Sequence, residues 1–320
     1  MMKKIVISVL FMFCMNLQGQ DLHYINYQYA PYAFNPGFAG HFNGKTRIHF
    51  NTKNQWRAVS DPYQTNGVAL DFSKIKKHNI GLSLGILSDQ AGTLNYGSNQ
   101  LHLGAAYQKD IGEKILFSPG IQVLRSNFSL DQQSIQFGNG TETINITQKA
   151  AYSVNLGIVT SYYFSKKTIL NIGISTFHLN RPKMSLINST YRYSPRYHIH
   201  SDLYLIRGNW HIMPRMIWSK QSNVTEFQIG TELKYELATR VLHSNIRGIF
   251  LALDNRFEDA WAYTFGIETK VARIGISNSR NYSNLNSASY GNGGLEMYIR
   301  LIFKGKDKPT DPSKGCKLFL

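Results

Sequence analysis

The chain has 320 residues, with 35 Lys+Arg against 19 Asp+Glu, a formal net charge of +16, and 42% hydrophobic, 13% aromatic and 17% charged residues. With 19 Tyr, 18 Phe and 9 Pro it is too aromatic for a disordered chain and too poor in proline for a low-complexity one. The charged fraction lies below the ~25% usual in soluble domains, yet no uncharged apolar run after residue 20 approaches the ~20 residues of a spanning helix, which excludes a helical membrane protein and leaves open a β-rich chain, whether or not it meets lipid.

Residues 1–20 read as a secretory signal peptide. Lys3 and Lys4 form the basic start, 5–13 the short apolar stretch, and Gly19-Gln20 the cleavage site. Phe11, Met12 and Phe13 before Cys14 are not the small-residue context of a lipoprotein site. Cleavage lowers the charge from +16 to +14 and leaves Cys316 as the sole cysteine, so no intrachain disulfide framework exists. Export also removes nucleic acid from the partners.

Residues 21–45 come next, and 27–40 (YQYAPYAFNPGFAG) are too rich in Tyr and Phe for a solvated tail. They are expected to form a periplasmic or plug segment, either filling a lumen or folding on the periplasmic rim, with Asn35-Pro36 as a fixed turn. A docking surface for a partner is an equal reading.

From residue 46 period-two alternation takes over. Ile80, Leu82, Leu84 and Ile86 oppose Gly81, Ser83 and Gly85; Phe227, Ile229, Thr231, Leu233 and Tyr235 oppose Gln228, Gly230, Glu232 and Lys234. The pattern predicts fourteen strands: 46–53, 66–74, 79–87, 99–109, 114–126, 153–164, 168–178, 197–206, 210–219, 223–237, 240–253, 261–270, 271–279 and 293–303. Most are longer than the five or six residues of soluble strands and near the ~9–11 of a tilted spanning strand. The stretches 131–150, 179–196 and 280–293 are longer connections rich in Asn, Ser and Gly, while 165–167 and 207–209 are short. Gly138-Asn139-Gly140 and Gly291-Asn292-Gly293-Gly294 read as turns.

What the apolar face touches decides the class. The opposite face is expected to carry Gly, Ser, Asn, Gln, His and Tyr with few charges, unlike the solvent face of a soluble sandwich. Trp210 and Trp218 share the apolar face of one strand, separated along a tilted strand by roughly 20 Å, near the height of an outer-membrane apolar band. An open edge in lipid leaves backbone groups unpaired, so the sheet must close. The fold class is therefore all-β: an antiparallel transmembrane β-barrel of about 14 strands over 46–303, followed by a periplasmic tail, 304–320. Pro214 falls inside a strand, where a bulge is the expected repair.

Candidate chemistry is sparse. His198, His200 and Asp202 alternate onto one face; they could ligate a transition metal or line a polar lumen, and the lumen wall is the reading taken, with no metal and no cofactor. No motif joins a nucleophile to a base. Lys74, Lys76 and Lys77, and Lys304, Lys306 and Lys308 after the last strand, are solvated turn lysines by default, with lipid head groups as alternative contacts.

Three short signatures are more specific. Asn35-Pro36 with Ala39-Gly40 follows Tyr32 in the aromatic segment; Asn54-Gln55-Trp56 follows the first strand; Asp89 and Gly92 form an Asp-x-x-Gly turn. On these the chain resembles the PorP/SprF family of membrane proteins associated with the type IX secretion system, across the mature chain and most closely in its N-terminal third. At the tail Lys317 follows Cys316 where the family has proline. The resemblance implies a non-enzymatic outer-membrane barrel of the secretion and gliding machinery of a gram-negative bacterium. It would help secrete or anchor a specific cell-surface protein. It implies as partners the translocon components and an exported surface protein or adhesin with a C-terminal sorting domain, in addition to outer-membrane lipid. It also marks Tyr32, Asn35, Pro36, Ala39, Gly40, Asn54, Gln55, Trp56, Asp89 and Gly92 as family-motif or partner-contact residues. The rival is a passive or substrate-selective outer-membrane pore.

Overall fold

The computed structural model describes residues 21–55, 62–73, 78–92, 96–129, 150–183, 192–237, 245–283 and 286–305. The barrel strands are β1 (Thr46–Gln55), β2 (Tyr63–Phe72), β3 (Ile80–Ala91), β4 (Tyr96–Tyr107), β5 (Lys109–Ile111), β6 (Ile115–Ser129), β7 (Ala150–Ser165), β8 (Thr168–Phe177), β9 (Arg196–Arg207), β10 (Trp210–Gln221), β11 (Val224–Glu236), β12 (Ile246–Arg256), β13 (Ala260–Thr269), β14 (Ala272–Asn281) and β15 (Asn292–Phe303). Each pairs antiparallel with its chain neighbours. β5 is a three-residue continuation of β4 that pairs only with β6, while β4 itself pairs with β6. Pairing of β1 with β15, from Thr46↔Phe303 to Gln55↔Gly294, closes a fourteen-stranded barrel with no free edge.

The period-two pattern places one face outward. Ile86, Leu103, Leu251 and Phe265 are each more than half exposed, and alternate apolar residues along most strands are exposed as well. In water this skin would be an aggregation surface; in a bilayer it is the lipid contact. Trp210 and Trp218 both face outward, and Trp261, Tyr263 and Phe265 form an exposed run on β13. β1 begins and β15 ends at one rim, here the terminal rim. The three longest connections, 130–149, 178–195 and 282–291, all leave the other, the loop rim. That asymmetry is the one outer-membrane barrels show between periplasmic turns and outer loops.

Three expectations need correction. First, no bulge forms at Pro214. The β10–β11 register runs unbroken through Pro214↔Thr231, and towards β9 the same register holds on both sides while Met213 and Pro214 simply go unpaired. Proline lacks the donor on that side, and dropping two pairings disturbs the barrel less than inserting a residue. Second, Gly293 and Gly294 belong to β15, and only Gly291 of that run is a turn glycine with positive φ. Third, the inward face is not poor in charge, as the lumen shows.

Candidate functional site

Residues 21–44 do not lie beside the barrel. They run through it, from the loop rim to the terminal rim, as three successive 3₁₀ turns (Tyr27–Tyr29, Pro31–Ala33 and Pro36–Phe38). Proline at the first position of the second and third turns presets φ and removes a donor that would otherwise lack a partner. Short turns of this kind satisfy part of their own backbone, and wall side chains take up more of it: Gln122, Ser175 and Ser118 donate to the carbonyls of Tyr32, Phe34 and Gly37, so the chain can lie inside a protein without a sheet partner.

At the loop rim, Asp21 accepts hydrogen bonds from His178 Nε2 (2.8 Å) and Gln221 Nε2 (2.9 Å), while Arg196 Nη1 donates to the carbonyls of Asp21 and Leu22. Burial opposes the charge of Asp21, but His178 and then Arg196 outweigh it and hold the carboxyl at about 2. Deeper in, the backbone N–H groups of Ile25 and Asn26 donate to Glu296, and Lys53 donates to the carbonyl of His23. Tyr29 stacks on Tyr298 with ring centroids 3.7 Å apart. At the terminal rim, Lys45 N–H donates to Phe303 O (2.8 Å), and the chain turns into β1.

The deepest seat belongs to Asn35, which is fully buried. Its Oδ1 accepts from Gly37 N–H (2.9 Å), capping the third turn. Its Nδ2 donates to Ile158 O, Ile174 O and His200 Nε2, the last at 3.0 Å. Three inward glycines on adjacent strands, Gly120, Gly157 and Gly173, make the space. A Cβ at Gly120 would fall on Pro36 O, one at Gly157 on Asn35 Oδ1, and one at Gly173 on His200. Tyr32 lies against Gly67 and Gly85, with its ring 5.3 Å from His102. Gly40, at φ +64, passes against Gly81 and the Phe72 carbonyl. Glycine within a strand commonly marks such close backbone approach.

The signature residues therefore divide. Tyr32, Asn35, Pro36, Ala39 and Gly40 lie together on the luminal segment, where Gln108 donates to Ala39 O. Asn54 and Gln55 sit at the loop-rim end of β1, with Gln55 packed on Gly294, and are not brought to Asn35. Trp56 lies outside the described residues, as do Cys316 and residues 1–20. Asp89 lies near the loop-rim end of β3 and accepts from Thr65 Oγ1 (2.6 Å); Gly92 is the positive-φ turn residue just past the strand.

The wall itself carries ion pairs that alternation alone does not announce. Arg47 binds Asp71 (2.7 Å), Arg215 binds Asp254 through two nitrogens (2.6 and 3.0 Å), and Lys234 binds Glu268 (2.8 Å). Arg273 bridges Glu232 and Glu268, Arg196 pairs with Glu226, Arg256 with Asp259, and Lys53 with Glu296 at 3.7 Å. Arg215 was readable as inward, since it lies on the parity opposite Trp210 and Trp218; its carboxylate was not. His198, His200 and Asp202 do share the inward face, but His198 bonds Ser219 and His200 bonds Asn35. Among the described residues no group of three or more His, Cys, Asp or Glu is arranged to hold a metal.

Residues 16–300 match the family described as Type IX secretion system membrane protein PorP/SprF. No curated protein matches the chain. Among solved structures, the Ralstonia pickettii toluene transporter TbuX is similar at 9% identity and a TM-score of 0.51, over 86% of this chain and 93% of that one. The P. putida toluene transporter TodX is similar at 8% identity and a TM-score of 0.50, over 85% and 93%. These likenesses concern the barrel fold alone.

Proposed function

Because this chain belongs to the PorP/SprF family of type IX secretion system membrane proteins and is an outer-membrane β-barrel, we propose that it works without catalysis as an interaction component of that machinery, helping to secrete or anchor a specific cell-surface protein. The observation that carries this reading is the occupied lumen. A conducting or substrate-selective pore needs a continuous aqueous path, whereas residues 21–44 fill the barrel from rim to rim and are bonded to its wall at both ends and in the middle. The space inside goes to self-contact, which leaves the rims and loops for partners.

In this reading residues 1–20 are a cleaved signal peptide and 304–320 a periplasmic tail. Translocon components meet the terminal rim, and an exported protein or gliding adhesin with a C-terminal sorting domain is the cargo. The loop-rim signature residues Asn54, Gln55, Asp89 and Gly92 are the partner-facing set. Tyr32, Asn35, Pro36, Ala39 and Gly40 act indirectly, by fixing the luminal segment.

Mild-detergent purification of the tagged protein from crosslinked native envelopes, with companions identified by mass spectrometry, tests this. Translocon proteins or one dominant surface protein are expected. Recovery of the barrel alone would overturn the reading.

A further inference from the structure

The lipid-facing surface has a dent. Ala105 on β4 stands between Leu82 on β3 and Ile121 on β6, its direct partners in the ladder. Leu84, Leu103 and Val123 make the next outward row towards the loop rim. One short side chain among long ones leaves a groove of about 390 Å³ there, within the ~300–1,000 Å³ of ligand pockets. The outward side chains around it are all apolar. Neighbouring strands lie ~4.8 Å apart, so the β3 and β6 walls are roughly 10 Å apart before their side chains narrow the gap. That width suits one hydrocarbon chain and is too small for a partner helix ~10–12 Å across.

Above the groove the same face changes character. Leu101 and Arg125 form the next pair of that ladder, and Asn99 and Asn127 the one after it. Arg125 follows Val123 by ~6.6 Å along the strand. It is exposed, and among the described residues no carboxylate lies within 4.0 Å of it. Tyr152, directly across on β7, is more than half exposed. An aromatic ring at that height marks the boundary between acyl chains and head groups.

A charge on the lipid face is costly unless it reaches the interface, which the long stem of arginine allows. Among the described residues the exposed charges of the strands at this rim are Arg125, Lys220 and Arg280, all basic. Lys220 and Arg280 are each one residue from the end of their strands, whereas Arg125 is four from the end of β6 and therefore deeper. Groove, guanidinium and paired amides thus succeed one another in a single column, in the order in which a lipid presents acyl chain, phosphate and polar head.

We infer that this column binds one phosphate-bearing lipid of the outer leaflet. An acyl chain lies in the groove over Ala105, the phosphate accepts from the Arg125 guanidinium, and hydroxyls of the head group meet Asn99 and Asn127. A planar guanidinium suits a phosphate better than a point charge does. The inference rests on the outer-membrane placement of the barrel and requires no secretion partner.

Native mass spectrometry of the delipidated full chain in neutral detergent, titrated with bisphosphorylated lipid A, tests this. A one-to-one adduct is expected. Dephosphorylated lipid A should bind at least about fivefold more weakly, the loss expected when one basic side chain loses its anionic lipid contact, and inorganic phosphate alone should give no adduct. Arg125→Gln should bring lipid A down to the level of its dephosphorylated form. Ala105→Leu fills the groove and should weaken both forms, while Lys220→Gln should leave binding unchanged. Equal binding of the two lipid forms overturns the inference, as does a dimer of the chain, or no adduct at all, in place of the lipid complex. Those outcomes are read on the unmodified protein, so a variant that fails to fold does not obscure them. No secretion component is present, so their failure leaves the proposed role in that machinery standing.

Discussion

Asn35 and His200 are 165 residues apart in the chain and 3.0 Å apart inside the barrel. An amide nitrogen can only donate, so this contact makes His200 Nε2 the acceptor and leaves the ring proton on Nδ1, on the side of Asp202. One side chain thus caps its own turn, bonds two strand carbonyls and fixes the tautomer of a wall histidine. Asn35→Ala should cost about 3 kcal/mol or more, since it leaves several buried groups unpaired. Asn35→Asp keeps the cap to Gly37 but loses every bond to the wall, so it should fall close to the alanine variant. Urea unfolding in detergent micelles checks the order.

The glycines that receive Asn35-Pro36 should not tolerate even a methyl group. Gly157→Ala is expected to lose at least about 2 kcal/mol, because the added Cβ meets the Asn35 side chain and the Pro36 ring. Gly104→Ala is the control. That glycine also sits within a strand, but its Cβ would find only ordinary contacts at 3.6 Å and beyond, so stability should stay within about 1 kcal/mol of the parent. Equal losses at the two positions would refute the seat.

Arg215 and Asp254 form the best-aligned buried pair of the wall, two hydrogen bonds between strands two apart. Arg215→Met should destabilise by about 3–5 kcal/mol through the stranded carboxylate, and adding Asp254→Leu should recover much of that loss. A double-mutant cycle on unfolding free energies reads the coupling.

Asp21 gives the loop-rim anchor a pH signature. Its folded pKa, about 2, is depressed below the ordinary 3.8, so its contribution is complete above pH ~4 and is lost as pH falls through about 2. With allowance for its partial exposure, the advantage of the native chain over Asp21→Asn should be about 1–2 kcal/mol at neutral pH. That difference should close in acid. A gap that persists unchanged below pH 2 would contradict the assignment to the carboxylate.

Much of the barrel was legible because period-two alternation reports a local property, the face on which each residue lies. Fourteen runs followed from it, although β2, β4 and β7 begin three residues before the predicted strands, and β12 runs from Ile246 to Arg256 where 240–253 was expected. The aromatic weight of 27–40 likewise marked a segment that had to be covered. The wall chemistry was not legible. Arg215 and Asp254 are 39 residues apart, and Lys53 and Glu296 further still, so each looked like an isolated charge on a polar face. Gly120, Gly157 and Gly173 read as polar-face fillers until their common neighbour, Asn35, is placed. Nor does any local pattern say that the segment enters at one rim and leaves at the other; that depends on where Asp21 finds His178 and Arg196.

Single-channel recording in planar bilayers tests the central claim most directly, because a lumen occupied by its own chain must not conduct. The intact protein should give no steady current, and a variant lacking residues 21–43 should give stable, ohmic openings. A steady open current from the intact protein would contradict the account and favour the pore.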